Sequence, residues 1–446
     1  MIKVITYGTY DLLHHGHIQL LKRAKALGDY LIVGITSDSF DKARGKINVK
    51  QSIMERIEAI KATGLADKII VEEYEGQKID DIKRYDIDVF TVGSDWIGKF
   101  DYLKEYCQVI YLPRTKGISS SEIRMKERKI RLGLIGESDV LKKFFNETKY
   151  VNGIEISGLC TQNNILKEQM KNKIEYITDK IDNILNISDA IYILSHPKYH
   201  FNQIRKALEQ NKHVLCESPI ALDKRKCKFL FSLAKKNNCV LMEGIKTAYA
   251  TAFNRLSLLV KSGCIGDIVS IDVTCTSLQD IYNKEIEDLK DMWNSITSWG
   301  PTAMLPVFYL LGTRYRKMYM VSKKLNDNKD FDAFTSINFI YEHAIASVKV
   351  GKGVKSEGIL IISGTKGYIY VPAPWWKTDY FEIRYENSNN NRRYFYLLEG
   401  EGIRYEIVAF IKSIETKKNN SYITEDITEN ISNVIEQFMK QEIYII

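Results

Sequence analysis

The chain has 446 residues, too many for one ordinary hydrophobic core, so two or three domains are expected. Lys and Arg number 64 against 56 Asp and Glu, a net charge of +8, but the charges are interspersed, which suits anionic small-molecule substrates and argues against nucleic acid as a partner. Seven cysteines (107, 160, 216, 227, 239, 264 and 275), odd in number and without C-x-x-C spacing, fit a reduced cytoplasmic protein without a zinc site, and with no apolar run near the roughly 20 residues of a membrane helix, neither membrane insertion nor a secretion signal is expected.

The first element is an apolar run, Ile2–Tyr7, that reads as a buried strand. Gly8-Thr9-Tyr10-Asp11-Leu12-Leu13-His14-His15-Gly16-His17 follows it. A strand that ends in Gly-Thr and then places imidazoles three residues apart at a helix start builds a site for nucleotide phosphates. The helix N-terminus offers unpaired N–H groups and the positive end of its dipole, and the imidazoles stabilise charge on a phosphorus under attack. His17 lies one turn beyond His14, so both rings face one pocket. A surface histidine pair or two metal ligands would show the same H-x-x-H spacing; Gly16 favours phosphate, because a residue without a side chain lets it approach the backbone.

Ile- and Val-rich runs recur at Tyr30–Ile35, Lys68–Val71, Val89–Val92 and Val109–Leu112, with helical periodicity over Ile18–Leu27 and Ile53–Ala62. Their alternation predicts a Rossmann-like α/β layer with a parallel sheet and right-handed crossovers. Ligands then sit at the carboxyl ends of the strands, where Gly93–Phe100 follows the fourth strand and Pro113–Ser121 the fifth. The latter leads into a short predicted helix, Glu122–Lys126. Hydroxyls and N–H groups at its start, beside Arg114, predict a second phosphate cradle; an ordinary serine N-cap is the competing reading.

The histidine motif resembles the nucleotidyltransferase signature G-T-F-D-x-x-H-x-G-H, with Tyr10 in place of Phe. From Lys3 to Arg124 the chain closely resembles glycerol-3-phosphate cytidylyltransferases, through Ala24–Val33, Asp95–Phe100 and Tyr111–Ser119. The resemblance implies that the phosphate of glycerol 3-phosphate attacks the α-phosphorus of CTP, with Mg²⁺ present, to release pyrophosphate and give CDP-glycerol for a cell-surface polymer. It implies catalytic roles for His14, His17, Lys46 and Arg114. Nucleotide binding falls to Gly8, Thr9, Tyr10, Asp11, Gly16, Asp95 and Trp96, and to Thr115, Gly117, Ile118, Ser119, Ser120 and Ser121. Arg44 and Lys78 would bind the acceptor. Arg44 stands where the family has lysine, and Gly64 stands three residues before Asp67 where the family often carries arginine, so the acceptor is glycerol 3-phosphate or a related polyol or sugar phosphate. A homodimer is expected, since the resembled families self-associate.

Arg124–Lys129 reads as a helix end or linker, and the pattern then restarts, which divides the chain into residues 1–128, 129–247 and 248–446. Ile130–Ile135, Ala190–Leu194 and His213–Cys216 read as strands, Phe201–Gln210 and Lys224–Asn237 as helices, together a second Rossmann unit. Ser188–Asp267 resembles the Gfo/Idh/MocA oxidoreductases, through Asp189–Ile193, Pro197 with His200, Lys212–Pro219, Leu241–Gly244 and Ser262–Gly266. Alternation at Ile268–Thr274, Phe334–Tyr341, Ala344–Val350 and Ile359–Val371 predicts that family's large open sheet in a C-terminal α/β domain, closed by helices near Glu406–Ser413 and Thr428–Lys440.

This second resemblance implies NAD(P), yet its residues depart from the pattern. Gly136-Glu137-Ser138-Asp139-Val140-Leu141 keeps one glycine of G-x-G-x-x-G. Ser218 stands at the active-site lysine, and Ser298 and Thr302 at the later Asp and His/Tyr. A pocket is expected from Gly136, Ser138, His200, Glu217, Ser218, Lys246 and Tyr249, with Lys246 as cation and Tyr249 as proton donor toward a ketone oxygen. Trp293, Trp299, Trp375 and Trp376 are candidates for stacking on a ligand. Three readings of the second half stay open: an oxidoreductase-like domain beside the transferase, a reductase of keto-sugar or keto-triose phosphates, or a non-catalytic scaffold.

Overall fold

The computed structural model describes every residue except 44–48, 75, 114–128, 285–288, 290–291, 326–327 and 397. The chain forms two compact units, Met1–Arg128 and Lys129–Ile446. In the first, strands β1 (Lys3–Gly8), β2 (Tyr30–Thr36), β3 (Lys68–Glu72), β4 (Val89–Gly93) and β5 (Gln108–Leu112) alternate with helices α1 (His15–Lys25), α2 (Asp38–Ala43), α3 (Ile53–Ala62) and α4 (Gln77–Tyr85). The sheet is parallel throughout, in the order β3-β2-β1-β4-β5.

Val4 packs on one face with Leu21, Leu31 and Ile60, while Ile5 packs on the other with Ile82, Phe90 and Leu103. Burial of both faces is why these strands read as unbroken apolar runs. Strand order reverses between β1 and β4, and the crevice at such a point, outside the carboxyl ends, is where open α/β sheets hold ligands. The histidine loop and Ser94–Trp96 follow those two strands.

The second unit begins with six parallel strands, β6 (Ile130–Gly136), β7 (Ile154–Cys160), β8 (Ile177–Thr178), β9 (Ala190–Leu194), β10 (His213–Glu217) and β11 (Leu241–Gly244). Their order, β11-β10-β9-β6-β7-β8, is that of a doubly wound dinucleotide-binding sheet. Gly136 has φ +151°, and a Cβ there would lie 2.1 Å from the Leu194 carbonyl oxygen, so the surviving glycine serves the close approach of β6 to β9.

A nine-stranded mixed sheet follows: β12 (Ile268–Thr276), β13 (Lys317–Leu325), β14 (Asn328–Ile340), β15 (Ile345–Gly351), β16 (Leu360–Gly364), β17 (Tyr368–Val371), β18 (Tyr380–Arg384), β19 (Arg392–Phe395) and β20 (Tyr444–Ile445). It is open, in the order β19-β18-β17-β16-β12-β15-β14-β13-β20. The predicted run Ile359–Val371 is two antiparallel strands, β16 and β17, because Thr365-Lys366-Gly367 turns the chain. The helix Ser295–Leu311 packs on β12, β14 and β15, over buried Val273, Ile337 and Val348. The fold is therefore α/β, with two Rossmann-like parallel sheets and an open C-terminal sheet. Among the described residues no helix is long and apolar enough to cross a membrane.

Candidate functional site

The loop after β1 turns through two left-handed residues, Tyr10 (φ 54°) and Leu12 (φ 49°), positions that side chains adopt only when their surroundings hold them. Asp11 between them is buried, and its Oδ1 accepts from the Lys50 and Gln51 N–H groups, both at 3.0 Å. Gln51 Oε1 accepts in turn from the Leu12 N–H at 2.7 Å. His14 is the N-cap of α1, where its Nδ1 accepts from the Gly16 N–H at 3.1 Å. The His14 and His17 rings stack with centroids 3.9 Å apart. Tyr10 is 2 % exposed and meets the His17 ring edge-on at 5.5 Å; it braces the second imidazole from below, and burial raises its hydroxyl pKa.

One residue at the centre of this arrangement has no place in the sequence motif. Arg56, on α3, is fully buried. Its guanidinium donates to the carbonyls of Thr9 at 2.7 Å, Thr36 at 2.9 Å and Gln51 at 3.2 Å, and pairs with the carboxylates of Asp38 and Asp41. It thereby ties the ends of β1 and β2 to α2 and to the entry of α3. The Thr9 hydroxyl donates to Asp41 at 2.9 Å. An arginine on a helix with ordinary amphipathic spacing gives no sequence signal of such a role.

Lys78 is buried and paired with Glu72, which also accepts from the Thr36 hydroxyl at 2.9 Å. Its ammonium lies 4.7 Å from the Tyr7 ring centroid and 5.4 Å from that of Phe100. Gly8 ends β1, where a Cβ would come within 3.0 Å of the Tyr10 ring. Asp95 is exposed in the turn after β4, and Trp96 beside it packs against Phe100 at 5.8 Å. Arg44, Lys46, Arg114, Thr115, Gly117, Ile118, Ser119, Ser120 and Ser121 lie outside the described residues, as does the predicted helix Glu122–Lys126.

In the second unit a cleft of about 250 Å³ opens beyond the ends of β10 and β11. Glu217, Ser218 and Lys246 line it, together with Ser298 and Thr302, four residues apart on one face of the helix Ser295–Leu311. Trp293, Trp299 and Trp376 complete its aromatic wall, whereas Trp375 is a core residue whose indole N–H donates to the Thr274 carbonyl at 3.1 Å. Glu401, with Lys143 and Lys377, also faces the cleft, and none of these three stood out in the sequence.

Other expected members sit elsewhere. His200 is buried, with Nδ1 2.8 Å from the Pro219 carbonyl and Nε2 2.8 Å from that of Ser195; burial lowers its pKa to about 4 against the pull of those carbonyls. Tyr249 is buried with its hydroxyl 2.8 Å from Ser421 Oγ, while Lys246 pairs with Glu401, so the two do not converge. Gly136 and Ser138 are absent from the cleft lining.

Residues 5–126 match the cytidylyltransferase-like family, and residues 130–245 match the oxidoreductase family with an NAD-binding Rossmann fold. Over 124 residues the chain is 53% identical to the glycerol-3-phosphate cytidylyltransferase of Bacillus spizizenii, a match covering 28% of this chain and 95% of that protein. Over 126 residues it is 48% identical to the enzyme of the same name from Staphylococcus aureus, with the same coverage, 28% and 95%. Through its first unit, the chain belongs to the glycerol-3-phosphate cytidylyltransferase family.

Beyond the cytidylyltransferase unit the likeness is one of fold. KijD10, a 3-ketoreductase from Actinomadura kijaniata solved with NADP and TDP-benzene, is 15% identical with a TM-score of 0.64, over 72% of this chain and 99% of that one. The UDP-N-acetylglucosamine 3-dehydrogenase GnnA of Acidithiobacillus ferrooxidans is 16% identical with a TM-score of 0.56, over 70% and 97%. Membership in the cytidylyltransferase family implies a nucleotide substrate with a metal ion; among the described residues no group of three or more His, Cys, Asp or Glu side chains is placed to hold one by itself.

The residues after β6 do not fit a dinucleotide pyrophosphate in the manner of that fold. Ser138 and Leu141 occupy fingerprint glycine positions, and Leu141 is buried in the packing. At the start of the helix Val140–Thr148, the Ser138 hydroxyl accepts from the Val140 N–H at 3.3 Å, and Asp139 sets a carboxylate at the N-cap. Glu137 reaches across to the loop after β7, where it accepts from the Thr161 hydroxyl and from the N–H groups of Gln162 and Asn163. A carboxylate thus takes donors beside the end of the second strand of this sheet, the region where the fold usually recognises a ribose.

Proposed function

We propose that Met1–Arg128 transfers the cytidylyl group of CTP to the phosphate of glycerol 3-phosphate or a closely related polyol phosphate. The observation that carries this reading is the stacked His14–His17 pair at the N-terminus of α1, in a unit 53% identical over 124 residues to a glycerol-3-phosphate cytidylyltransferase. The acceptor's phosphate oxygen bonds to the α-phosphorus, the bond from that phosphorus to the bridging oxygen of the β-phosphate breaks, and pyrophosphate leaves. No covalent enzyme intermediate is needed; catalysis is positional and electrostatic. Because His14 Nδ1 accepts from the Gly16 N–H, its ring proton sits on Nε2, the nitrogen directed away from the cap. The α1 N-terminus adds its dipole to the same anion. Lys46, Arg114 and the Thr115–Ser121 loop would bind the outgoing phosphates, and Arg44 and Lys78 the acceptor. Mg²⁺ accompanies the triphosphate, whose oxygens supply ligands and whose charge it offsets.

The product would be an activated polyol for a surface polymer, made by a cytoplasmic homodimer. Pyrophosphate release from CTP, glycerol 3-phosphate and Mg²⁺ tests the reading. No turnover with any polyol phosphate, or equal turnover with ATP, overturns it.

A further inference from the structure

Glu401 sits on an uncommon piece of backbone. Gly400, Glu401 and Gly402 have φ of 63°, 52° and 92°, three successive left-handed residues. Glycine adopts this region freely, but the middle residue carries a side chain there against a steric cost. A Cβ on Gly402 would lie 2.2 Å from the Lys246 carbonyl oxygen, so the turn is pressed against the segment that carries Lys246. The result is a carboxylate delivered among three ammonium groups: Lys246 at 2.6 Å, Lys377 at 2.8 Å and Lys143 at 3.4 Å.

Three cations around one carboxylate leave an excess of positive charge at this end of the cleft. The other carboxyl on the lining, Glu217, accepts from the Tyr192 hydroxyl at 2.9 Å, and burial raises its pKa. Glu406 lies behind Gly244, where burial and the Glu217 charge push its carboxyl well above the usual range, so the pair carries less negative charge than two free carboxylates would. The rest of the lining has a different character. Trp299 and Trp376 meet at 4.8 Å between ring centroids, and Ser218, Ser298 and Thr302 line the same cleft. Aromatic faces beside hydroxyls suit the C–H and O–H edges of a polyol or sugar. The cleft's volume of about 250 Å³ suits a short carbon chain with a charged group.

We propose that this cleft binds a small phosphorylated polyol or sugar. The phosphate takes the place of the Glu401 carboxylate among Lys143, Lys246 and Lys377, and the carbon chain lies against Trp299 and Trp376. Glu401 is the built-in occupant of the phosphate position, and its glycine neighbours allow the turn to release it. A phosphate monoester brings a charge of about −1.5 to −2 where the carboxylate brought −1, so the exchange satisfies more of the lysine charge. The proposal stands apart from cytidylyl transfer, since every residue it uses lies beyond Arg128.

The test is a fluorescence titration of the Trp96→Phe chain, in which all remaining tryptophans belong to the second unit. The probes are glycerol 3-phosphate, D-ribose 5-phosphate, D-glucitol 6-phosphate, D-ribose and inorganic phosphate. At least one phosphorylated probe gives a saturable change, with ribose and inorganic phosphate weaker by about tenfold or more. Lys246→Ala and Lys377→Gln each weaken that binding by roughly 10–100-fold, the loss of one charge-assisted contact, with near-ultraviolet dichroism confirming the fold. Glu401→Gln tightens it, because the competing carboxylate is gone. No saturable change with any phosphorylated probe, unchanged binding in folded lysine variants, weaker binding in Glu401→Gln, or inorganic phosphate binding as tightly as the esters would each overturn the proposal. None of these readouts involves CTP, so failure of the transferase reading leaves them unaffected.

Discussion

The imidazole rings of His14 and His17 stack face to face, with centroids 3.9 Å apart and planes 21° from parallel. Helical spacing brings the rings to one side, but two further contacts fix their orientation. The Gly16 N–H holds His14 through Nδ1, and the edge of Tyr10 supports His17. The pair is therefore set before any substrate arrives, as transition-state stabilisation requires.

Replacing either histidine with alanine lowers kcat/KM for cytidylyl transfer by roughly 10²–10³, and the double variant loses less than the product of the two because they act as a unit. His14→Ala also loses a helix cap, worth about 1 kcal/mol, which His17→Ala does not. His14→Asn separates the effects: asparagine caps, so chemical denaturation recovers while the rate does not. Single variants within a few-fold of the parent rate contradict this assignment.

Arg56 is the second test of the same site. Arg56→Ala removes the guanidinium from the Asp41 carboxylate and the Thr36 carbonyl; breaking a buried pair in this way costs about 3–5 kcal/mol. Arg56→Lys restores the charge but not the fork that reaches three carbonyls and two carboxylates, so it recovers only part of the loss. Urea denaturation of the three proteins measures this, and an Arg56→Ala midpoint equal to the parent's would show that the hub is not structural.

The first unit was legible because its chemistry is local. Gly8–His17 carries strand end, turn and helix start in one stretch, and Ile53–Ala62 announces itself by periodicity, to which the structure adds a Ser52–Glu55 capping box. Arg56 was not legible, since its partners Thr9, Thr36 and Gln51 converge only after the sheet forms. In the second unit, register alone carried Ser218, Ser298 and Thr302 to one cleft. The helix bearing the last two hides behind Pro301 and Pro306, which break its sequence pattern. Glu401 hides more completely, because its partners Lys143 and Lys246 are over 150 residues away and its turn looks like an ordinary glycine-rich loop.

The contacts of Glu137, Ser138 and Leu141 predict that the second unit does not hold a nicotinamide dinucleotide. Energy transfer from tryptophan to NADH or NADPH should show no saturable component up to about 1 mM, the range of only about −4 kcal/mol of binding. Saturation well below that concentration would mean that the loop after β6 rearranges, and would reopen reduction of a keto-sugar phosphate.

The lysine cluster around Glu401 also predicts a pH dependence. Partial burial by itself would raise this carboxyl, but hydrogen bonds from Lys246 and Lys377 outweigh it and bring the pKa from 4.5 to about 2. A folded-state pKa below the unfolded one means that the contribution to stability is complete above about pH 4.5 and is lost as pH falls through about 2. Glu401→Gln cannot titrate, so the gap in unfolding temperature between parent and variant should be widest near neutral pH and close progressively below about pH 4.5. Tryptophan emission follows the relevant transition, since four of the five tryptophans lie beyond Arg128. A gap that stays constant from neutral pH down to about pH 3 would mean that the carboxylate gains nothing from its lysines. Adding the phosphorylated ligand at neutral pH should raise the unfolding temperature of Glu401→Gln by more than that of the parent, because only the parent must first release its own anion.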